Sequence, residues 1–188
     1  GTPIYTNVTY PHANDPPSVT STPSTSYTAY IDRNPVGSYR GEFTVPGGWE
    51  NRRVFIHFDG VMSAFYLWVN GQAVGYSEDS MTPAEFDITG YLVAGTNILA
   101  AEVYRWCDGS YLEDQDMWRM SGIYRDVYLF STPDVHLRDF WVRCDLDEQY
   151  EDATLAVTAN VMNYGDIQTG TYTAVSYTHL RAHETKAN

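Results

Sequence analysis

Short apolar runs, separated by turn-forming residues, dominate the middle of the chain. Between residues 37 and 130 these runs predict strands at 38–45, 54–58, 64–69, 72–76, 85–88, 97–105 and 126–130. Asn70-Gly71 lies between two of the runs, and this pair is the strongest short signal for a β-hairpin. No segment has a sustained period of 3.6 residues, so we expect only one helical turn, at 91–93. The pattern predicts an all-β sandwich or jelly roll.

The pattern changes on both sides of this region. Residues 1–36 are rich in Pro, Thr, Ser and Asn, which predicts an extended arm on the folded body. Residues 131–134 resemble a linker, and strands at 135–145 and 153–161 would open a second sandwich. An immunoglobulin-like sandwich needs about seven strands, so we expect this one to be truncated. The predicted domains are 1–132 and 133–174, followed by a non-native tail at 175–188 whose start resembles a translated sequencing adapter.

Composition narrows the classes of function. The net charge is −13 with only 11 Lys and Arg, so the chain lacks the basic surface that nucleic-acid binding requires. This charge suits a neutral ligand such as a sugar. No apolar run has membrane-spanning length, so no membrane partner is expected. Cys107 and Cys144 lie far apart, which favours two buried or half-buried free thiols over a disulfide.

The segment 108–123, between two predicted strands, carries the candidate chemistry. It is predicted to be one long loop, and it combines four carboxylates (Asp108, Glu113, Asp114 and Asp116) with apolar side chains. Three interpretations stay open: a hydrolytic carboxylate pair, an oxygen-ligand cation site, and acids that pair with Arg105, Arg119 or Arg125 to fix the loop. A hydrolytic pair is disfavoured, because neighbours on one loop rarely approach a sugar from opposite faces.

Several ordered motifs resemble glycoside hydrolase family 2 β-galactosidases. Residues 104–127 contain the run Asp-Gly-Ser-Tyr-Leu-Glu-Asp-Gln-Asp-Met-Trp-Arg followed by Ser-Gly-Ile, and Pro-Ile-Tyr-Thr-Asn-Val-Thr-Tyr-Pro stands at 3–11. Phe-Asp-Gly-Val at 58–61, Trp-Val-Asn-Gly at 68–71 and Val-Gly-Tyr-Ser at 74–77 fit the same family. The resemblance implies a jelly roll whose opening strand is missing, then the first strands of an immunoglobulin-like domain. It also implies that the catalytic TIM barrel is absent from this fragment.

The resemblance also implies roles for individual residues. Asn7 matches the position that contacts the galactosyl ring, beside Val8. Asp116 matches the carboxylate that touches the galactosyl 6-hydroxyl and ligates sodium. Asp108 and Glu78 are implied as a secondary divalent-ion site, and the parent protein would use sodium and magnesium. Trp118 and Arg119, which follow Asp116, are expected to pack and brace the loop.

The sequence therefore predicts the substrate-binding and assembly part of a retaining β-galactosidase that hydrolyses terminal β-D-galactosides such as lactose. The fragment carries no catalytic residue and should be inactive without the TIM barrel of the same protein. The parent is expected to be a cytoplasmic homo-oligomer, with secretion left open because the N-terminus is missing. The alternatives are a stand-alone carbohydrate-binding module and another family 2 glycosidase, a β-glucuronidase or β-mannosidase.

Aromatic side chains and a histidine are weaker candidates. Trp49, Trp68, Trp106 and Trp141 offer possible sugar-stacking surfaces, although most are expected in the core or between domains because they lie in or beside predicted strands. His57 alternates within a predicted strand and is expected to be a structural histidine with satisfied hydrogen bonds.

Overall fold

The computed structural model describes residues 4–5, 19, 34–113 and 116–165. The chain divides into two compact units, with the boundary between His136 and Leu137. The predicted boundary lies four residues earlier, between Thr132 and Pro133. Most of the predicted arm at 1–36 and the whole predicted tail at 175–188 lie outside the described residues.

The first unit is built from short strands, as the apolar runs predict. The seven predicted strands are all present. Four further strands are only two residues long, too short for any sequence period to reveal. In chain order the strands are β1 (Ile4–Tyr5), β2 (Val36–Thr44), β3 (Arg53–Phe58), β4 (Val61–Met62), β5 (Ala64–Val69), β6 (Gln72–Glu78), β7 (Ala84–Asp87), β8 (Thr96–Tyr104), β9 (Trp118–Arg119), β10 (Gly122–Ile123) and β11 (Val127–Thr132).

Two open antiparallel sheets form the sandwich. One has four strands in the order β2-β8-β5-β6, and the other has three in the order β11-β3-β7. Two short ladders, β1 with β9 and β10 with β4, lie outside these sheets. The helical turn expected at 91–93 is a single 3₁₀ turn slightly earlier, at Thr89–Tyr91. The all-β sandwich predicted from the sequence is therefore confirmed.

A single apolar layer fills the space between the sheets. Phe65, Leu67 and Val69 alternate along β5 and are at most 2% exposed, as are Val54, Ile56 and Phe58 of β3. Phe58 and Phe65, from opposite sheets, have ring centroids 4.8 Å apart. Because side chains alternate between faces along a strand, the polar side chains lie on the outer faces and at the rims of the sheets.

The hairpin predicted at Asn70-Gly71 is confirmed and is fixed by the side-chain amides of Asn70 and Asn97. Asn70 has φ 51° and Gly71 has φ 79°, the left-handed conformations that a tight hairpin turn requires. The Asn70 side chain donates to Tyr91 O and to Asn97 Oδ1, both at 2.8 Å. Asn97, which is fully buried, in turn accepts from Val93 N at 2.8 Å. These bonds tie the β5–β6 turn to the start of β8.

The second unit contributes two long paired strands, β12 (Val135–Leu146) and β13 (Ala153–Asn163). The strands predicted at 135–145 and 153–161 are thus confirmed. Every residue of β13 is exposed, including apolar Val157 and Val161. Two strands alone are marginally stable in water, so this pair needs further packing partners.

No helix within the described ranges is long and apolar enough to cross a membrane.

The apolar layer predicts a large difference between two leucines. Leu67→Ala should lower the free energy of unfolding of the first unit by about 2–5 kcal/mol, because Leu67 is 0% exposed and its removal leaves a cavity. Leu112→Ala is the matched control, since Leu112 is 85% exposed; it should change stability by less than about 0.5 kcal/mol. Urea titration measures both values. Equal losses would contradict the assignment of the core.

Candidate functional site

The connection between β8 and β11 holds most of the predicted site residues. We predicted one long loop at 108–123, but the structure has a 3₁₀ turn at Asp108–Tyr111 and the two short strands β9 and β10. Ser121 and Gly122 take positive φ values of 61° and 79°. The backbone N–H groups of Met120 and Ser121 point at the buried Met62 sulfur, at 3.0 and 3.5 Å. The connection is therefore an ordered part of the fold.

A carboxylate with several partners anchors the middle of this connection. Glu113 accepts hydrogen bonds from Ser80 N at 2.7 Å and from Ser80 Oγ at 2.6 Å. It also pairs with Arg119 Nη1 at 3.7 Å, and Arg119 is only 4% exposed. Tyr124 donates a short hydrogen bond to Ser80 O. Glu113 therefore has the structural role that we considered for the acids, with Arg119 as its partner and not Arg105 or Arg125.

Asp116 lies three residues beyond Glu113 and is exposed. Burial alternates along the segment: Asp116 and Trp118 are exposed, whereas Arg119 is buried. Trp118, which we expected to pack and brace the loop together with Arg119, is 58% exposed, so its role in bracing the loop stays a prediction. Asp114, another of the four carboxylates of this segment, lies outside the described residues. Asp116 and Trp118 are thus both exposed, two residues apart in the chain.

A two-residue ladder connects this segment with the start of the chain. Ile4 of β1 pairs with Arg119 of β9, and Tyr5 pairs with Trp118. β1 ends two residues before Asn7, and β9 begins two residues after Asp116. Asn7 and Val8 themselves lie outside the described residues, so their predicted contact with sugar stays a prediction. The ladder nevertheless brings the backbones leading to Asn7 and Asp116 to the same place.

Three potential metal-ligating side chains meet at the opposite end of the connection. The carboxylates of Glu78 and Asp108 and the Cys107 thiol each offer a ligand atom, and these atoms lie within 4.8 Å of one another. Burial raises the pKa of the Cys107 thiol, and Glu78 interacts with that thiol by a hydrogen bond. The structure therefore brings together the two residues implied as a divalent-ion site. We did not predict that Cys107 would join them.

A tyrosine-lined pocket adjoins this cluster on the outer face of the four-stranded sheet. The ring centroid of Tyr66 lies 4.7 Å from that of Tyr76 and 6.0 Å from that of Tyr104. Burial and the nearby Glu78 raise the pKa of Tyr76, so its phenol stays neutral. The pocket has a volume of about 350 Å³, and Asn34, Trp106, Cys107 and Asp108 contribute to its lining. We missed these tyrosines, although alternation along β5 and β6 places Tyr66 and Tyr76 on the face opposite the core.

The remaining candidates are a histidine, the tryptophans and the two cysteines, which differ in their burial. His57 is held between Asp59 at 3.1 Å and Glu85 at 3.4 Å and stacks on Tyr128, so the prediction of a structural histidine is confirmed. Trp106 is 2% exposed, whereas Trp141 of the second unit is 64% exposed. Both cysteines are free, as expected, but only Cys107 is buried and Cys144 is exposed.

The fold is an open two-sheet β-sandwich with an ordered connection at its rim. The model of the family described as "Glycosyl hydrolases family 2, sugar binding domain" matches residues 1–133, and the chain belongs to this family.

Two relatives found by sequence comparison have the same name. The chain is 57% identical over 162 residues to a β-galactosidase of Priestia megaterium (strain DSM 319 / IMG 1521), covering 86% of this chain and 15% of the relative. It is 52% identical over 160 residues to a β-galactosidase of Yersinia pestis bv. Antiqua (strain Angola), covering 85% of this chain and 14% of the relative. The chain thus spans about 15% of the length of the curated relatives it matches.

Among solved structures, the fold is similar to that of Bacteroides uniformis β-glucuronidase 2 covalently bound to cyclophellitol-6-carboxylate aziridine. The TM-score is 0.60 and the identity 26%, over 68% of this chain and 16% of the other. The resemblance to family 2 is therefore confirmed by sequence and by fold.

The two thiols are expected to react at different rates. The C144S variant leaves only buried Cys107, and its native labelling by an aromatic disulfide reagent at neutral pH should be at least about tenfold slower than that of C107S. The thiolate is the reactive form, and burial raises the pKa of Cys107, so its labelling rate should still be rising above pH 9. Unfolding in guanidinium should remove the difference. Equal native rates would contradict the burial of Cys107.

Proposed function

We propose that the chain is the N-terminal substrate-binding and assembly part of a retaining β-galactosidase that hydrolyses terminal β-D-galactosides such as lactose. The observation that carries the proposal is the 57% and 52% identity to proteins named β-galactosidase, against 26% to the β-glucuronidase structure. Sequence similarity twice as high argues for the galactoside, since the fold alone is shared by both activities.

In this proposal Asp116 binds both the galactosyl 6-hydroxyl and a sodium ion. Its carboxylate is exposed and lies next to the ladder that leads to Asn7. An ionised carboxylate only accepts hydrogen bonds, so it suits a hydroxyl donor, and its oxygens suit a hard cation. The bound sodium would supply positive charge near the sugar oxygen. Asn7 and Val8 would contact the galactosyl ring from the other segment.

Charge favours a galactoside over a glucuronide. A glucuronide carries a carboxylate at the position where a galactoside has its 6-hydroxyl, and like charges a few ångströms apart repel. Asp116 without sodium would oppose that anion, and bound sodium would offset this effect, so the net charge of −13 is the part of the argument that does not depend on sodium. The same argument leaves a β-mannosidase possible, since mannosides are neutral, and only the sequence identities weigh against it.

The reaction itself would depend on parts beyond this chain. The acid/base and the nucleophile of a retaining hydrolysis are expected on the TIM-barrel domain of the parent protein, which we propose as the main partner. The parent would be a cytoplasmic homo-oligomer. The role of this chain is then to orient the non-reducing sugar, which lowers the entropy cost of reaching the reactive geometry.

Glu78 and Asp108 are proposed to hold a divalent cation, magnesium in the parent protein. Their carboxylate oxygens are the donors that magnesium prefers. Cys107 does not fit magnesium, because a thiol is a soft ligand and this one is kept protonated by burial. The two carboxylates would therefore ligate the ion, with the thiol donating to Glu78.

The tyrosine-lined pocket supports a second candidate function, a stand-alone carbohydrate-binding module. Aromatic rings beside carboxylates are typical of sugar sites, and Tyr66, Tyr76 and Asp108 provide both. Millimolar galactose that shifts the NMR resonances of these residues in the purified chain would favour the module. If no resonance shifts, the proposal that the chain is part of a β-galactosidase is favoured over the stand-alone module.

The purified 188-residue chain is expected to show no turnover of a chromogenic β-galactoside. The reason is that the proposed catalytic pair belongs to another domain. The same assay on a full-length enzyme carrying this domain is the positive control. Turnover that co-purifies with the chain and is absent from a mock purification would contradict the proposal.

Asp116→Ala in the full-length enzyme is expected to lower kcat/KM for the β-galactoside by about 100-fold or more, since a charged group that binds substrate and cation is lost. Sodium should no longer stimulate the reaction. Asp139→Ala is the matched control, because Asp139 is exposed in the second unit. A sodium response that survives in D116A would remove Asp116 from the site.

A further inference from the structure

We propose that Glu113 is a positioning residue, which holds the segment bearing Asp116 in place through Ser80 and Arg119 and thereby sets the sodium affinity of the site. This inference rests on the proposed function, because it assigns Glu113 a role through Asp116. Glu113 is not assigned any contact with sugar or sodium.

The contacts of Glu113 connect two separate parts of the sandwich. Ser80 lies in the turn between β6 and β7 and is 1% exposed, and it gives Glu113 two hydrogen bonds of 2.7 and 2.6 Å. Tyr124, just after β10, donates to Ser80 O and fixes the turn from its other side. The side chain of Glu113 is therefore positioned by the buried β6–β7 turn, while its backbone N–H donates to Gly109 O at 3.0 Å within its own connection.

The second link of Glu113 is to the strand that follows Asp116. Arg119 lies 3.7 Å from Glu113 and is 4% exposed, so it cannot satisfy its charge with bulk water. Asp116 stands between Glu113 and Arg119 in the chain, three residues from each. One charge pair thus joins the residues three positions before and three positions after Asp116, and Asp116 itself is exposed.

The same charge pair supports the partner segment of the site. Arg119 belongs to β9, and its backbone pairs with Ile4 in the ladder that precedes Asn7. A shift of Arg119 would therefore move both segments that the proposed function assigns to the sugar. Residues that orient a metal ligand without touching the metal typically contribute 10- to 100-fold to affinity or activity.

The test uses the full-length enzyme and three substitutions. Glu113→Gln keeps the size of the side chain but removes its charge and puts an amide donor among donors from Ser80 and Arg119. Ser80→Ala removes one of the two Ser80 bonds and is the milder variant. Glu50→Gln is the matched control, because Glu50 is exposed in the turn between β2 and β3.

Sodium NMR line broadening should show sodium affinity weakened about 10- to 100-fold in E113Q, by a few-fold in S80A, and unchanged in E50Q. Hydrogen exchange of residues 116–120 should speed up in the same order. At saturating sodium and substrate, kcat should return close to the wild-type value with KM still raised, since Asp116 is intact. If Glu113 had only a structural role, its substitution would lower the amount of folded enzyme, and kcat would not recover at saturating sodium while KM stays raised.

The outcomes separate the two proposals. If D116A keeps sodium binding, the proposed role of Asp116 fails. If D116A loses sodium binding while E113Q and S80A keep wild-type sodium affinity and exchange at 116–120, the positioning role of Glu113 is overturned. If E113Q does not fold, S80A alone decides: a weakened sodium affinity with normal kcat at saturation supports the inference, and a wild-type affinity refutes it.

Discussion

Burial of one face of each sheet is the constraint on which the rest of the structure depends. Phe65 and Leu67 of β5 can leave water only by packing against β3, and β3 offers Val54, Ile56 and Phe58 for that purpose. Once this layer forms, polar side chains are left with the outer faces and the connections at the rims. The candidate sites occupy these places: the tyrosine-lined pocket lies on an outer face, and Asp116 lies on a connection.

The rim connection needs its own source of order, because it contributes little to the apolar layer. Burying Arg119 costs solvation energy, and the Glu113 carboxylate offsets part of that cost only because Ser80 satisfies its oxygens. Such a pair adds little net stability. Removing only one of its two partners is costly, however, because the other charge is left buried and unpaired. The geometry of the connection is therefore well defined. This is the property that a binding carboxylate on a loop requires.

The sequence predicted the sandwich well and the contacts at its rim poorly. Alternation along β5 and the Asn70-Gly71 turn are local signals, and both gave the correct structure. The ladder of β1 with β9 has only two residue pairs and no period to detect. Glu113 and Ser80, or Glu78 and Cys107, are brought together by the fold from distant parts of the chain, so composition and spacing cannot reveal them. Trp118 is 58% exposed, although a large aromatic side chain in a strand usually packs, and spacing along the chain does not reveal this exposure.

The fold of the sandwich does not by itself determine the activity of the enzyme that carries it. A β-glucuronidase structure shares this fold with a TM-score of 0.60 although only 26% of the aligned residues are identical. The apolar layer accepts many combinations of hydrophobic side chains as long as volume and alternation are kept. A polar side chain at a binding site has no such freedom, because its charge and hydrogen bonds must match one ligand. Residues that distinguish the activities of such relatives are therefore to be sought outside the apolar layer, at the rims of the sheets.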